Sequence, residues 1–378
     1  MKGFLTTHKG MEDIAALEVK ELIGSESRID EACIVFDIKN YEDLFILCYK
    51  SQSATGVCCL LSEFDYNSIF DDFEKNIGKI EFDEWLGKNV QFRVKCIRNY
   101  EDNAASAETE SKLGEVIINH IQKNYGYKQK VDLEKPEIVV FFFLTAKRCY
   151  AGIDFAGFDL SKRSYKIFQH AADIKGTIAY SLIRIGGYSK NEALLDVFSG
   201  SGTIPIEAAL FSSNFPVRHF DKEKFIFSKF KKFRDFDFNK LFRKLDREAS
   251  GDKPKIYNVD LSMKSINYAK KNSKIAGVDK KISFSRMDME WLDTKFKKGK
   301  IDRIVTKMPN IHGNELYNGF FYQAEFILND KGKIVLIGNS ELIEKYSSKH
   351  KFEISGQREI FSGKMKYGVF ILTKQKLK

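Results

Sequence analysis

The 378-residue chain is 43% hydrophobic and 30% charged, so it can bury sizeable cores and is expected to fold into two or three domains. No segment approaches the roughly 18 to 20 consecutive apolar residues that span a bilayer. The first residues, MKGFLTTHKGMEDIAALEVKELIG, become acidic where a signal peptide would be apolar. These features predict a cytoplasmic protein and argue against an integral membrane protein.

The net charge of +10 is unevenly distributed along the chain. From Ala171 to the end there are 40 Lys and Arg against 24 Asp and Glu, whereas the preceding residues have 22 against 28. A basic C-terminal part favours a polyanionic partner such as nucleic acid. A solvated, lysine-rich surface is the alternative.

The cysteines and histidines give no sign of a metal site. All six cysteines fall in the first 150 residues without CxxC spacing, and the six histidines are scattered. Neither a zinc site nor a disulfide framework is therefore expected. The cysteines are interpreted as reduced core thiols.

Two small α+β patterns occupy the N-terminal part. Residues 1–65 combine a helical stretch with the apolar strand CIVFDI. Residues 66–155 contain the alternating strand VQFRVKCI, a helix near SKLGEVIINHIQKNYG and the apolar strand IVVFFFLTA. We predict two domains with these bounds, followed by a linker over 156–175.

Residues 176–378 alternate apolar strands with helices. The segments LLDVF, IPIEAALF, KIYNVD, SINYAKKNSKIAG, KISFSRMD, IDRIVT and GKIVLIG follow one another in this rhythm. The alternation predicts a doubly wound, mostly parallel sheet with a ligand crevice at the carboxyl ends of its strands. The final segment, KFEISGQREIFSGKMKYGVFILTK, predicts two strands that form an antiparallel edge.

An insertion over residues 212–254 interrupts this alternation. Phe recurs in it among Lys and Arg, as in FDKEKFIFSKFKKFRDFDFNKLFRKL, and no Gly occurs between Phe215 and Arg247. Aromatic rings can stack on bases while cations meet phosphates, so part of the insertion is expected to contact RNA. The alternative is an amphipathic helical insertion whose Phe rings pack on the sheet.

A glycine-rich turn, DVFSGSGT (196–203), separates a predicted strand from a predicted helix. Gly200 and Gly202 allow a tight turn and a close approach to a ligand, and the helix N-terminus behind them offers free N–H groups. Asp260 ends the second strand, where a carboxylate can accept from ribose hydroxyls; Asp288 ends the third, where it can bind an adenine amino group. A dinucleotide site is disfavoured because the third Gly of GxGxxG is absent.

These residues, with Ala269 and Asn272 after Asp260, resemble the S-adenosylmethionine site of Rossmann-fold methyltransferases. The string SGSGTIPIEAAL resembles in particular the RNA guanine-N2 methyltransferases that carry a THUMP domain. GMEDIAALEVKELIG resembles their N-terminal ferredoxin-like segment, FRVKCIRNYEDNAASAETESKLGEVIINHI with VDLEKPEIVVFFFL resembles THUMP, and YAGIDFAGFDLSKRSYKIF resembles the linker into the catalytic domain. These segments occur in the family's order and cover nearly the whole chain.

The resemblance implies an α/β chain whose C-terminal domain is a Rossmann-fold methyltransferase, preceded by a ferredoxin-like domain at 1–65 and a THUMP domain at 66–155. It implies S-adenosylmethionine as cofactor and tRNA, bound near its acceptor stem, as partner. We also expect no metal and a monomer. The expected product is N2-methylguanosine, most favourably at position 6. Cofactor contacts are expected from Asp196, Ser199, Gly200, Gly202, Thr203, Asp260, Asp288 and Met289, and RNA contacts from Arg163, Lys231, Lys232 and Arg234.

The loop after the fourth strand departs from the family pattern. That pattern is Asn or Asp, then two Pro, then Tyr or Phe, and it positions the target amine under an aromatic ring. The corresponding residues here are Lys307, Met308, Pro309 and Asn310. Lys307 has three donors and no acceptor while protonated. Asn310 is therefore expected to accept the amine hydrogen, with Pro309 and Lys307 as the other catalytic-loop residues.

Alternatives remain open at this loop. Asn314 or His312 could supply the acceptor instead, with Phe320, Phe321 or an insertion aromatic as the stacking ring. A second hypothesis is a noncatalytic or weakly active tRNA-binding protein. A third is methylation of another atom, or of another tRNA or rRNA guanosine.

Overall fold

A computed structural model describes residues 1–100, 106–171, 173–309 and 313–375. Within them, no helix is long and apolar enough to cross a membrane. The chain divides into two compact units, each built from segments that are not contiguous in sequence. The first unit comprises Met1–Thr7, Ala15–Leu160 and Asp221–Phe242; the second comprises His8–Ile14, Ser161–Phe220 and Arg243–Lys378.

Each strand of the N-terminal part contains β-branched or aromatic residues, which favour strand structure. They are β1 (Lys2–Thr6), β2 (Ser27–Asp30), β3 (Cys33–Asp37), β4 (Gly56–Asp65), β5 (Gln91–Arg98), β6 (Lys130–Val131), β7 (Ile138–Leu144) and β8 (Arg148–Asp154). The helices are α1 (Glu12–Ile23), α2 (Tyr41–Lys50), α3 (Ile69–Ile77) and α4 (Ser106–Tyr125). The predicted strands CIVFDI, VQFRVKCI and IVVFFFLTA are confirmed to within two residues.

The first unit has one continuous sheet rather than two. Among the described residues, its strands pair in the order β2-β3-β1-β4-β8-β7-β5-β6. The ten-residue strand β4 pairs antiparallel with β1 through its first half and with β8 along most of its length. The expected boundary between residues 65 and 66 therefore falls at the end of a strand that both halves share.

The insertion supplies part of the core of the first unit. Its residues Asp221–Phe242 belong to this unit, although the sequence predicted that residues 212–254 belong to the C-terminal domain. The ring of Phe45 on α2 lies 4.7 Å from that of Phe227 and 5.1 Å from that of Phe233, centroid to centroid. The buried insertion rings therefore serve packing, as the alternative interpretation held, but they pack in the first unit.

The second unit confirms the predicted alternation of strands and helices. Its strands are β9 (Leu194–Asp196), β10 (Ile256–Asp260), β11 (Ile282–Arg286), β12 (Ile301–Lys307), β13 (Leu328–Ile337), β14 (Phe352–Ser362) and β15 (Met365–Lys374). The helices are α5 (Gly176–Ile185), α6 (Thr203–Ser212), α7 (Phe238–Arg247, which begins in the first unit), α8 (Met263–Ile275), α9 (Leu292–Lys295), α10 (Asn314–Ile327) and α11 (Ser340–Lys349).

The order of these strands, among the described residues, is β11-β10-β9-β12-β13-β15-β14. Strands β9 to β13 pair in parallel, whereas β15 pairs antiparallel with both β13 and β14. The α/β fold with a parallel sheet and an antiparallel edge is thus confirmed. The order reverses between β9 and β12, which is where a doubly wound sheet opens a crevice.

Candidate functional site

A cavity of about 550 Å³ lies in the second unit at the carboxyl ends of β9, β10, β11 and β12. Its volume falls in the range of small-molecule sites, about 300 to 1,000 Å³. Seven of the eight residues predicted to contact the cofactor line this cavity. The eighth, Gly202, directly precedes the lining residue Thr203. The polar part of the lining includes His170, Asp173, Asp196, Ser199, Thr203, Asp260, Asp288 and Lys307.

The glycine turn needs both of its glycines. Gly200 has φ of +53° and Gly202 has φ of +83°, a left-handed conformation that residues with a Cβ rarely adopt. A Cβ on Gly202 would lie 2.7 Å from the Cβ of Ala269. The turn is thus held against α8, and α6 begins directly after it at Thr203.

The carboxylate of Asp260 anchors the turn to the end of β10. The backbone N–H of Gly200 donates to Oδ2 at 2.9 Å, and the N–H of Ser262 donates to Oδ1 at 2.8 Å. A carboxylate offers about four acceptor sites, so Asp260 can still accept from ligand hydroxyls.

The linker supplies two contacts that sequence reasoning did not specify. The Asp173 carboxylate accepts from the hydroxyl and, at 3.3 Å, from the N–H of Ser201. Buried Asn272 accepts from the N–H of Phe168 at 3.0 Å and donates to the carbonyls of Phe168 (2.8 Å) and Ser201 (3.1 Å). In the sequence, Asn272 is evident only as part of the family pattern. Its role in joining the linker, the turn and α8 depends on contacts between distant segments.

Asp196 lines the cavity but is only 1% exposed. Burial raises the pKa of its carboxyl group to about 7, although the Thr306 hydroxyl donates to Oδ1 at 2.7 Å and favours the charged form. The carboxyl can therefore exchange its proton near neutral pH.

We expect this carboxyl to make the protein less stable as pH rises from about 4 to about 7. An unfolded Asp titrates near pH 3.9, so the folded state binds more protons in that window and stability falls by at most about 1.4 kcal/mol per pH unit. Asp196→Asn keeps an acceptor for Thr306 but does not ionise. Urea unfolding across pH 4.5 to 7.5 should give a shallower decline for the variant, and parallel curves would rule the assignment out.

Two of the three residues predicted to form the catalytic loop border the same cavity. Lys307 ends β12, and it and Pro309 line the wall, while Met308 is buried. Burial lowers the pKa of Lys307, and the charge of Asp173 acts in the opposite direction. Asn310, the expected acceptor, lies outside the described residues, as does His312.

Two of the aromatic rings suggested to stack on the target base cannot do so. Phe320 and Phe321 are 1% and 0% exposed, so neither presents a face to a base. Their side chains pack in the core around α10, where Phe320 and Phe321 lie 5.1 Å apart, centroid to centroid. Periodicity could have anticipated this result, because the two residues fall on the apolar stripe of a helix.

The cavity wall fits S-adenosylmethionine. The hydroxyls of Ser199 and Thr203 are buried and have no hydrogen-bond partner among the described residues, so a bound group with polar atoms would satisfy them. Asp260 and Asp288 provide acceptors at adjacent strand ends. Among the described residues, no cluster of His, Cys, Asp and Glu is arranged to hold a metal ion.

The expected RNA contact by Arg163 is wrong. Its side chain is 1% exposed and pairs with the buried carboxylate of Glu207, with Nε and Nη2 donating at 2.7 and 3.2 Å. The Tyr165 hydroxyl donates to the same carboxylate at 2.7 Å. Gly176 makes room for the pair, because a Cβ there would lie 2.4 Å from Glu207 Oε1. A buried charge needs such partners, so Arg163 is structural.

Two of the three insertion cations also have structural contacts. The ammonium of Lys232 lies 4.3 Å from the ring centroid of Tyr41 and 4.6 Å from that of Trp85, and it pairs with Glu84. Lys231 is 60% exposed and lies 3.5 Å from Glu137. Lys232 thus stabilises the insertion within the first unit, and its side chain, which is 24% exposed, remains a predicted RNA contact. The exposed side chains of Lys231 and Arg234 remain predicted RNA contacts.

Comparisons with known proteins agree with this architecture. Residues 67–154 match the THUMP domain family, and residues 163–365 match the family described as RMKL-like, methyltransferase domain. The chain is 29% identical to a tRNA (guanine(6)-N2)-methyltransferase of Methanocaldococcus jannaschii, over 99% of this chain and 100% of that protein. It is 27% identical to a protein of the same name from Archaeoglobus fulgidus, over 89% of this chain and 83% of that protein.

A solved structure shares the complete fold. The crystal structure of a possible methylase from Clostridium difficile 630 aligns with 100% of this chain and 99% of its own, with a TM-score of 0.81 and 23% identity. The RMKL-like match spans more than half of the 378 residues and contains every residue that lines the cavity. The chain therefore belongs to the RMKL-like methyltransferase domain family, in a form that also carries a THUMP domain.

Proposed function

We propose that this protein transfers a methyl group from S-adenosylmethionine to the exocyclic N2 of a guanosine in tRNA, at position 6 of the acceptor stem. One observation carries the proposal: the glycine turn, the acidic strand ends, and Lys307 and Pro309 at the end of β12 line a single cavity. The names of the two similar archaeal proteins support the choice of atom and position.

The chain's own residues would mainly bind and orient. Asp260 holds the glycine turn and offers acceptors for ribose hydroxyls, while Ser199 and Thr203 offer hydroxyls to the polar end of the cofactor. The cofactor supplies an electrophilic methyl group when bound. The amine lone pair must point at that methyl carbon from about 3 Å, so positioning is the main catalytic task. A paired guanine must leave its helix to be presented in this way.

The loop after β12 would hold the target base. Lys307 Nζ, when protonated, donates to an acceptor on the base and cannot accept from the amine. In our proposal, the side-chain carbonyl of Asn310 accepts a hydrogen bond from the target amine. Pro309 limits the backbone conformations directly before Asn310. The proposal includes a cytoplasmic monomer, for which light scattering should give a mass near 43.6 kDa.

Incubation with unmodified tRNA and S-adenosylmethionine labelled in its methyl group tests the proposed function. We expect label in the tRNA and N2-methylguanosine in its nuclease digest. Calorimetry with S-adenosylmethionine alone should show binding at one site. Binding of tRNA without any incorporation of label would instead support the noncatalytic RNA-binding alternative.

A further inference from the structure

The exposed face of α8 is basic and lies beside the cavity. The helix, MKSINYAKKNSKI, has four lysines and no acidic residue, and its buried residues fall on the opposite side. Within the described part of the chain these lysines take part in no ion pair. They are all exposed: Lys264, Lys270, Lys271 and Lys274.

Two of these lysines lie over aromatic rings. Lys271 Nζ lies 4.7 Å from the ring centroid of Phe168, and Lys264 Nζ lies 5.6 Å from that of Tyr268. The two rings contact each other, with centroids 5.6 Å apart and planes inclined by 35°. Cation–π attraction restrains the ammonium groups, so less side-chain freedom is lost when they meet a phosphate. We call Lys264, Lys271, Phe168 and Tyr268 the α8 patch.

The α8 patch has a defined position relative to the cavity. Asn272 binds both backbone groups of Phe168 and also the carbonyl of Ser201 in the glycine turn. Ser262, the N-cap of α8, and Ser265 in its first turn line the cavity. Lys264, in the first turn of α8, therefore lies two residues beyond a residue that lines the cavity.

Exposed apolar side chains lie close in sequence to residues of the α8 patch. Ile167 precedes Phe168, and Leu261 and Met263 precede Lys264; they are 64%, 60% and 50% exposed. Sugars and unstacked bases pack on such side chains while phosphates meet ammonium groups, which is the mixed surface that a distorted or single-stranded RNA segment requires.

We propose that the α8 patch binds the RNA backbone adjacent to the nucleotide that enters the cavity. In this arrangement Lys264 and Lys271 each neutralise a phosphate, and the exposed apolar residues contact sugar or base. The inference rests on the proposed function, since it takes RNA as the substrate. It adds the surface on which the substrate approaches the cofactor site.

The test replaces the two ring-bound lysines with Gln and compares the variant with a matched pair elsewhere. Lys297 and Lys298 are exposed and lie just before β12, at the edge of the sheet opposite the cavity. Lys264→Gln/Lys271→Gln and Lys297→Gln/Lys298→Gln therefore remove the same charge from the same unit. The dissociation constant of unmodified tRNA would be measured for each protein at salt concentrations from about 0.05 to about 0.3 M, a range that brackets physiological ionic strength.

We expect Lys264→Gln/Lys271→Gln to weaken binding at about 0.1 M salt by a factor on the order of ten or more. Its plot of log K against log salt should be flatter by roughly 1.4 to 1.8, since each lost phosphate contact removes about 0.7 to 0.9. The control pair should change neither quantity appreciably. Calorimetry with S-adenosylmethionine, expected to be unchanged, shows whether the variants keep a folded cofactor site.

Two different results would distinguish a failure of the α8 patch from a failure of the proposed function. If both double variants behaved alike while the wild-type protein bound and methylated tRNA, the α8 patch would be wrong and the proposed function would stand. If the wild-type protein neither bound nor methylated tRNA, the proposed function would be wrong and the inference would fall with it.

Discussion

Replacing Gly202 with Ala is expected to weaken S-adenosylmethionine binding by a factor on the order of ten or more. The left-handed backbone alone costs an Ala roughly 1 to 2 kcal/mol, which corresponds to about a 5- to 30-fold effect if the turn relaxes out of its binding conformation. The new Cβ would also lie 2.7 Å from the Cβ and 3.1 Å from the Cα of Ala269. The turn must then move away from α8, and the cofactor wall moves with it.

Gly187→Ala is the matched control. Gly187 has φ of +66°, and a Cβ there would have nothing within 4 Å. Its substitution carries the same backbone strain without the collision and should lower the free energy of unfolding while leaving cofactor affinity unchanged. Both variants are titrated with S-adenosylmethionine in a calorimeter. Equal affinities of the two variants would show that the glycine turn does not form the cofactor wall.

Replacing Phe45 with Ala is expected to produce the largest loss of stability. The ring is 1% exposed, and it lies within 5.2 Å of Phe227, Phe233, Phe236 and Phe238 of the insertion, centroid to centroid. Removing a buried Phe side chain costs about 3 to 5 kcal/mol. At urea concentrations below the midpoint of unfolding, we further expect the insertion to detach from the rest of the first unit. Its lysines and arginines then become accessible to trypsin.

Phe73→Ala separates the general loss of stability from the detachment of the insertion. Phe73 is fully buried in the same unit and packs on Phe142, 4.9 Å away, with no insertion ring among its aromatic contacts in the described chain. It should reduce the free energy of unfolding by a similar amount without opening the insertion. Mass spectrometry of tryptic fragments should therefore show early cleavage within residues 221–242 only for Phe45→Ala. The same cleavage pattern in both variants would contradict the packing role of the insertion.

Local chemistry made the lining of the cavity predictable from the sequence. Gly200 and Gly202 indicate a turn by their spacing alone, and Asp260 and Asp288 follow apolar strands whose ends meet at one edge of a parallel sheet. Each signal is contained in a few adjacent residues. The parallel sheet then brings them together, because its topology follows from the alternation of strands and helices.

The misassigned residues depend on contacts that no local pattern encodes. The basic character of Arg163 is evident from the sequence, but its partner Glu207 lies on a helix in another part of the chain. The insertion likewise shows an apolar face without indicating which surface covers it. In both cases the tertiary partner decides whether a cation or ring serves packing or binding.

The central claim is tested most directly by removing the target atom from the substrate. A synthetic tRNA with inosine in place of guanosine at position 6 lacks only the exocyclic amine at that nucleotide. We predict that the protein transfers labelled methyl to the unsubstituted tRNA, that the digest contains N2-methylguanosine, and that the inosine-containing tRNA accepts no label. Equal incorporation into both RNAs would contradict the assigned nucleotide and atom, and no incorporation into either would contradict the methyl-transfer activity itself.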